Sequence, residues 1–132
     1  RPETAIRYSA AAFGNPDPRV KVDRRWRSLI QTPPFPAYVS GHSTFGGAGS
    51  EMLKLWFGTD RMAFTLKPLD LANWPTRLKG VSRSFTSFTQ AAEENGFSRI
   101  YGGVHWRSDH RGGDAKGRAV ARHVFHNFLP MA

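Results

Sequence analysis

The sequence contains no cysteine among its 132 residues and no apolar run long enough to cross a bilayer. The absence of cysteine excludes disulfide bonds, thiolate nucleophiles and cysteine-ligated zinc, but it leaves the redox compartment open. No membrane span is expected in this segment. The first residues lack the charged-then-apolar pattern of a signal peptide, yet Arg1 does not look like a natural start, so secretion or a periplasmic location stays open.

Acidic residues are also scarce, since ten Asp and Glu stand against nineteen Lys and Arg, which gives a formal net charge of +9. This excess predicts an anionic partner such as a phosphate, another oxyanion or nucleic acid. The basic residues are scattered from Arg1 to Arg122, without a block of five or six and without zinc-finger or basic-zipper spacing. Nucleic-acid binding is therefore unfavoured, and a basic nucleic-acid-binding module is kept as the non-enzymatic alternative.

Helical patterns dominate the remaining sequence, and 39% hydrophobic content is enough for one packed domain over residues 1–132. Helices are predicted at residues 1–13, from Ser43 to a stop at Gly58, up to Asn95 before Gly96, and at residues 115–129 after a loop at 109–113. The supporting apolar positions are Phe45, Ala48, Met52, Leu55 and Trp56 in the second helix, Phe85, Phe88, Ala91 and Ala92 in the third, and Val120, Val124, Phe125 and Phe128 in the last. The predicted fold class is an all-α helical bundle.

Five further local patterns refine this prediction. Residues 14–18 stop the first helix, residues 20–30 show no clear period, and residues 32–36 form an extended approach because of their prolines. Residues 59–80 are interpreted as an insertion or loop, with a short strand at 64–66. Small residues recur every four positions at Gly113, Gly117 and Ala121, which predicts close packing of the last helix against a neighbour.

Three stretches carry the chemistry. Residues 98–109 bring together Arg99, His105 and Asp109, while residues 36–42 bring Ser40 and His42 to the start of a helix. Arg1-Pro2 contributes a second guanidinium. Arginine forks, hydroxyls and helix-terminal N–H groups are the donors that bind oxyanions, so the three stretches together predict a site for a tetrahedral or trigonal-bipyramidal oxyanion.

In this combination and spacing, the motifs Arg1-Pro2, Ser40-Gly41-His42 and Ser98-Arg99 followed by His105 and Asp109 resemble the signature of the vanadium-dependent haloperoxidase and type-2 phosphatidic acid phosphatase superfamily. The surroundings of the first two motifs, residues 1–7 and 34–48, resemble the haloperoxidase branch more closely. The resemblance implies a helical bundle, of which this chain is the C-terminal part.

The resemblance also implies a cofactor, orthovanadate, with vanadium bound to a ring nitrogen of His105. Arg1 and Arg99 would neutralise its oxygens, and the Ser40 hydroxyl and the Gly41 N–H would complete the cofactor-binding set. Asp109 would accept the other N–H of His105 and fix its tautomer.

The catalytic set implied by the resemblance is His42, His105 and Asp109. His42 would exchange a proton with the cofactor or with hydrogen peroxide. Hydrogen peroxide and halide are the implied substrates, and hypohalous acid is the product. Phe35 matches an aromatic position near the halide site, and core packing is its alternative explanation.

The phosphatase branch supplies the enzymatic alternative. There His105 would be the nucleophile that forms a phosphohistidine, and His42 would protonate the leaving group. A hydrolase triad of Ser40, His42 and Asp109 is a poorer alternative, because side chains two residues apart seldom orient as nucleophile and base.

Two other histidine arrangements have no assigned role. His123 and His126 lie three residues apart on the last helix, but no third metal ligand is evident, so a solvated or packed pair is favoured. His110 is expected either to line the cleft or to be exposed.

The sequence departs from the superfamily pattern at two points. Val39 replaces the usual proline before Ser40, and the lysine of the first motif would lie before Arg1. We therefore expect an upstream segment of the same protein to supply this lysine and to cover the apolar faces of the bundle. Without that segment, the chain is expected to associate with itself.

Overall fold

The structure is a computed structural model that describes residues 1–12, 19, 21–67 and 81–129. These residues form four helices and two strands: α1 (Pro2–Ala12), α2 (Gly41–Phe57), β1 (Arg61–Leu66), β2 (Arg83–Ser87), α3 (Phe88–Tyr101) and α4 (Arg107–Phe128). The predicted helical fold is confirmed, with a small two-stranded antiparallel sheet added to it. The predicted helix stop at residues 14–18 and the second half of the segment 59–80 lie outside the described residues. None of the described helices is long and apolar enough to cross a membrane.

The ends of α2 follow from local chemistry. Ser40 is its N-cap, and the Ser40 hydroxyl accepts a hydrogen bond from the Ser43 N–H at 3.4 Å. Gly58 closes the helix with φ 66°, a left-handed conformation that glycine adopts without a steric penalty. The predicted helix and its stop at Gly58 are therefore confirmed.

Helices α2 and α4 pack against each other in parallel through small residues. A Cβ added at Gly113 would lie 2.6 Å from the Ser40 carbonyl oxygen, and one added at Gly117 would lie 2.0 Å from the carbonyl oxygen of Thr44. Further along, Glu51 of α2 binds Arg118 of α4 at 3.1 Å. Later residues of α2 contact later residues of α4, so the two helices run in the same direction. Their N-terminal ends therefore lie at the same end of the bundle.

The buried faces of these two helices differ from the apolar stripes in the sequence. In α2 the buried residues are Ser43, Gly47, Ser50 and Glu51, whereas Phe45 is 81% exposed. In α4 the buried positions include the predicted seam of Gly113, Gly117 and Ala121 and also Phe125 of the predicted apolar face, whereas Val120 and Phe128 of that face are exposed. Backbone proximity, rather than large apolar side chains, therefore defines this interface.

Three predicted boundaries were wrong. Gly96 does not end a helix but lies buried inside α3, where its missing side chain leaves room for the ring of His110. Residues 109–113 are not a loop, because α4 already begins at Arg107. Phe85 belongs to β2 rather than to the third helix.

An aromatic cluster joins the sheet to the C-terminal end of α2 and the N-terminal end of α3. Phe64 of β1, where a short strand was predicted, pairs with Phe85 of β2, and their ring centroids lie 5.4 Å apart. Phe88, at the start of α3, lies 5.7 Å from Phe64 and 6.0 Å from Phe57. These four rings, Phe57, Phe64, Phe85 and Phe88, are called the aromatic cluster below.

Helix α1 is held by polar contacts to the irregular segment that follows it. Glu3 accepts hydrogen bonds from Arg27 at 2.9 Å and from the Thr32 hydroxyl at 3.0 Å. The Ile30 N–H in turn donates to the Gly102 carbonyl at 3.3 Å. These bonds connect the first helix to the loop between α3 and α4 and thereby fix Arg1 beside residues 104–105.

Candidate functional site

His105 lies between α3 and α4 and is 4% exposed. Its Nδ1 lies 3.1 Å from Oδ2 of Asp109, one turn later, and the same oxygen accepts the Trp106 N–H at 3.0 Å. Because an ionised carboxylate only accepts, Nδ1 carries the proton and Nε2 keeps its lone pair. Burial lowers the pKa of His105, and the positive charges of Arg1 and Arg99 lower it further, against an opposing contribution from Asp109. The ring is therefore neutral near pH 7, and its Nε2 carries a lone pair that can accept.

Arg1 brings its guanidinium to this nitrogen. Nη1 donates to Nε2 of His105 at 2.9 Å and to the Val104 carbonyl at 2.9 Å, and Nε donates to the Phe35 carbonyl at 2.9 Å. The guanidinium carbon also lies 4.6 Å from the centre of the Phe35 ring, within the range of a cation–π contact. Nη2 is buried and has no hydrogen-bond partner among the described residues.

Arg99 approaches from the last turn of α3. Its carbonyl accepts the Val104 N–H at 3.1 Å and the His105 N–H at 3.3 Å, so the helix end fixes the backbone of His105. Its side-chain Nε, like Nη2 of Arg1, is buried without a hydrogen-bond partner in the part of the chain that the structure describes. Buried donors without partners are rare in folded proteins, and two of them on neighbouring guanidinium groups indicate a place for an acceptor.

The third part of the site is the first turn of α2. Ser40 is fully buried; its N–H donates to the Asp109 carbonyl at 3.0 Å, and its hydroxyl accepts from Ser43, so the hydroxyl proton stays available for donation. A Cβ at Gly41 would meet no atom within 4 Å, so the backbone there faces open space.

His42 completes this turn. Although His42 is exposed, partial desolvation lowers its pKa, and repulsion from Arg99 and His105 lowers it further. Its carbonyl accepts the Asn95 side-chain amide at 2.8 Å, which ties the turn to α3. A neutral imidazole close to the Arg99 guanidinium and the His105 ring is suited to exchange protons near pH 7.

The structure thus brings all the predicted site residues to one end of the bundle. The parallel packing of α2 and α4 places both helix N-termini there, and the partial positive charge of a helix N-terminus favours an anion. Phe35 lies beside Arg1 with its side chain 57% exposed, so it belongs to the rim of the site and not to the core. The hydrolase triad of Ser40, His42 and Asp109 is not formed, because Asp109 contacts His105 instead of His42.

Sequence reasoning missed three supporting residues: Asn95, Ser43 and the role of His110. His110 was expected to line the cleft or to be exposed. It is instead buried, with 5% of its surface exposed, and hydrogen-bonded to Ser43 and Glu93. No local sequence signal marks these pairs, since each joins residues 17 to 67 positions apart. Among the described residues no group of three potential metal ligands occurs, and His123 lies 3.3 Å from the Asn127 amide.

At one end of the helical bundle, where α2 and α4 begin, two arginines, two histidines and a buried serine lie together, and such donors are the kind that bind oxyanions in proteins. The family model described as "VCPO second helical-bundle domain" matches residues 1–131. The chain therefore belongs to this family of vanadium haloperoxidase domains.

Individual relatives agree with this assignment. The vanadium chloroperoxidase of Curvularia inaequalis is 34% identical over 106 residues, an alignment that covers 58% of this chain and 17% of that protein. A bacterial vanadium-dependent iodoperoxidase of known structure is similar with a TM-score of 0.63 and 40% identity, over 76% of this chain and 23% of that chain. The holo-type bacterial vanadium-dependent chloroperoxidase, at 22% identity, shares the fold with a TM-score of 0.62 over 74% and 22% of the two chains. The chain thus spans less than a quarter of the length of these relatives.

Proposed function

We propose that this chain forms the orthovanadate-binding part of a haloperoxidase that oxidises halide with hydrogen peroxide to hypohalous acid. The observation that carries the proposal is the pair of buried donors without a hydrogen-bond partner among the described residues, Nη2 of Arg1 and Nε of Arg99, beside the neutral ring of His105. The vanadium-dependent relatives support the choice of orthovanadate over other oxyanions.

The residues present fit this cofactor. His105 would hold vanadium through Nε2, because Nδ1 is occupied by Asp109. Arg1, whose Nη1 now donates to Nε2, would exchange this hydrogen bond for hydrogen bonds to the oxyanion. Arg99, the Ser40 hydroxyl and the Gly41 N–H complete the set of donors. Bound vanadate would supply a Lewis acid that activates hydrogen peroxide toward halide.

His42 would move the protons of the reaction. Its lowered pKa keeps the ring neutral near pH 7, so it can accept a proton from hydrogen peroxide and return it to a leaving oxygen. Its exposed position connects the site with solvent, from which the substrates enter. Phe35, whose ring covers the Arg1 guanidinium, would form one wall of the halide pocket.

A reconstitution assay tests the proposal against its two alternatives. The protein is incubated with orthovanadate and then given hydrogen peroxide with iodide, bromide or chloride, while parallel samples receive a phosphate monoester or labelled DNA. Halide oxidation that requires vanadate supports the proposal. Ester hydrolysis that vanadate inhibits would instead support the phosphatase with a phosphohistidine at His105, and DNA binding without either activity would support the nucleic-acid-binding module.

Two variants separate the proposed roles of the histidines. His105→Ala should weaken orthovanadate binding by more than about a hundredfold, since it removes the bond to the metal. His42→Ala should bind orthovanadate within about tenfold of wild type but lose turnover, since it removes a proton carrier. His123→Ala, at an exposed position of α4, is the matched control. Equal losses of binding in His105→Ala and His42→Ala would contradict the division of roles.

The lysine expected before Arg1 stays a prediction. We propose that it adds a further cation to the oxyanion site and that the upstream segment packs on exposed apolar side chains such as Phe45 and Tyr101. Self-association of the 132-residue chain, measured by analytical ultracentrifugation, is the expected consequence of these exposed side chains.

A further inference from the structure

His110 is a buried histidine to which the proposed reaction assigns no role. Its Nε2 lies 3.1 Å from Oε2 of Glu93 on α3, and its Nδ1 lies 2.9 Å from the hydroxyl of Ser43 on α2. His110 itself belongs to α4. One imidazole therefore joins the three helices that carry His42, Arg99 and Asp109.

The direction of these hydrogen bonds follows from their chemistry. A carboxylate can only accept, so the Glu93 contact places the proton of a neutral ring on Nε2. Nδ1 is then an acceptor and receives the Ser43 hydroxyl proton. The Ser43 hydroxyl is thereby held in one orientation in a site where Ser43 is 1% exposed.

The position of Ser43 connects this contact to the oxyanion site. Ser43 follows His42 directly in the first turn of α2, and its N–H donates to the Ser40 hydroxyl at 3.4 Å. A shift of Ser43 would therefore move both the Ser40 hydroxyl and the His42 ring. The Gly41 N–H lies between them on the same turn.

The space for His110 is also built into the fold. A Cβ at Gly96 would lie 2.2 Å from Nδ1 and 2.4 Å from Cε1 of the His110 ring. The Phe97 ring, next along α3, lies 5.0 Å from the His110 ring. The imidazole is thus confined by α3 and presented to Ser43 in a fixed orientation.

We infer that His110 is a positioning residue, which holds the first turn of α2 in register with His105 and Arg99 through the contacts Glu93–His110–Ser43. The inference rests on the proposed function for its affinity readout, because the ligand whose binding it tunes is orthovanadate. It assigns His110 no contact with that ligand.

Matched substitutions divide the two contacts of the ring. In His110→Gln the side-chain amide reaches the place of Nε2 and can still donate to Glu93, but the contact to Ser43 is lost. In His110→Asn the amide oxygen takes the place of Nδ1 and can still accept from Ser43, but the contact to Glu93 is lost. Ser43→Ala removes the hydroxyl alone. His126→Gln, at an exposed position of the same helix, is the control.

Three measurements are made on each variant: the orthovanadate Kd by calorimetry, the melting temperature, and the NMR resonances of the His42 imidazole without vanadate. We expect His110→Gln and Ser43→Ala each to weaken vanadate binding about tenfold and to shift the His42 resonances. His110→Asn should recover most of the affinity. The double variant that combines His110→Gln with Ser43→Ala should bind orthovanadate no more weakly than either single variant, because both substitutions remove the same contact.

Different outcomes overturn different claims. A lower melting temperature with unchanged Kd and unchanged His42 resonances would mean that His110 is merely structural, and additive losses in the double variant would exclude coupling through Ser43. A wild-type protein that does not bind orthovanadate would refute the proposed function. The His42 resonances of the vanadate-free variants would still decide whether His110 positions the turn.

Discussion

The α2–α4 interface and the aromatic cluster lie in the same small bundle, but they are built in opposite ways. The interface buries Gly47, Gly113 and Gly117 against backbone atoms and carries buried polar side chains such as Ser43 and Glu51. The aromatic cluster packs four rings between the sheet, α2 and α3 at centroid distances of 5.4 to 6.0 Å. One region brings backbones together, and the other fills space with side chains.

This difference indicates a division of tasks. Close backbone approach places two helix N-termini and the Ser40 N–H beside Asp109, which an interface of large side chains would prevent. It buries little apolar area, however, so it contributes little to the hydrophobic stabilisation. Phe85 and Phe88, the two buried rings of the aromatic cluster, contribute to that stabilisation at a distance from the site. Four substitutions test whether the two tasks are separate.

The largest expected effect on stability is that of Phe88→Ala. Phe88 is 6% exposed and contacts two rings of the aromatic cluster. Its removal should lower the free energy of unfolding by about 4 kcal/mol, measured by urea denaturation. Orthovanadate affinity of the remaining folded protein should stay within about threefold. A large loss of affinity, measured under conditions in which the variant is fully folded, would show that the two regions are coupled.

Gly117→Ala tests the second region, the α2–α4 interface. In an exposed helix this change stabilises by about 1 kcal/mol, but here the new Cβ would lie 2.0 Å from the Thr44 carbonyl oxygen. We expect a loss of about 3 kcal/mol because a backbone must move. Gly49→Ala is the matched control within α2: its Cβ would meet nothing within 4 Å, so a gain of about 0.5–1 kcal/mol is expected. Urea denaturation of both variants measures these changes. Equal changes in the free energy of unfolding for Gly117→Ala and Gly49→Ala would contradict a stabilising close approach of the two backbones at Gly117.

The sequence allowed the helical class to be predicted, and the proximity of the candidate site residues could be anticipated because each of their motifs is local. Ser40, Gly41 and His42 are adjacent, and Asp109 lies one helical turn after His105, so their spacing carries the geometry. The stop of α2 was predictable for the same reason, since a left-handed glycine at a helix end is a local feature.

The errors all came from tertiary contacts. Gly96 has the local signature of a helix end, but the space that it leaves for His110 depends on a residue fourteen positions later. Residues 109–113 contain two adjacent glycines, which favour a loop by propensity, yet Gly113 is helical because α2 packs against it. The apolar stripe of α2 predicted a helix but not its buried face, because packing against glycine selects small and polar residues instead.

After Phe88→Ala and Gly117→Ala, the next smaller effect on stability is expected for a substitution of Glu51. Glu51 of α2 forms ion pairs with Arg118 and Arg122 of α4. Burial tends to raise its pKa, but hydrogen bonds from Arg122, Lys54 and Arg118 outweigh burial and lower the pKa to about 2. A carboxyl with a lowered folded-state pKa stabilises the fold above its unfolded value of 4.5, and this contribution is lost as the pH falls toward 2.

Glu51→Gln should therefore be less stable than wild type by about 2 kcal/mol at pH 7, a figure reduced because Arg122 and Lys54 are partly exposed. The difference should shrink between pH 5 and pH 2 as wild-type Glu51 is protonated. Urea denaturation of both proteins across this range measures it. A difference that is independent of pH would mean that the ion pairs do not stabilise the interface.

The smallest expected effect on stability, and the sharpest separation of the two tasks, is that of Arg99→Lys. The Arg99 carbonyl, which fixes Val104 and His105, is unchanged by the substitution, so the free energy of unfolding should change by less than about 0.5 kcal/mol. The buried Nε, however, has no counterpart in lysine, which carries all of its N–H groups on one terminal nitrogen and none at the position of Nε. Orthovanadate affinity should fall about tenfold although the charge is conserved. Arg111→Lys, at an exposed position of α4, should leave the affinity unchanged. If Arg99→Lys destabilised the protein as much as it weakened binding, the unpartnered donor would belong to the fold rather than to the ligand.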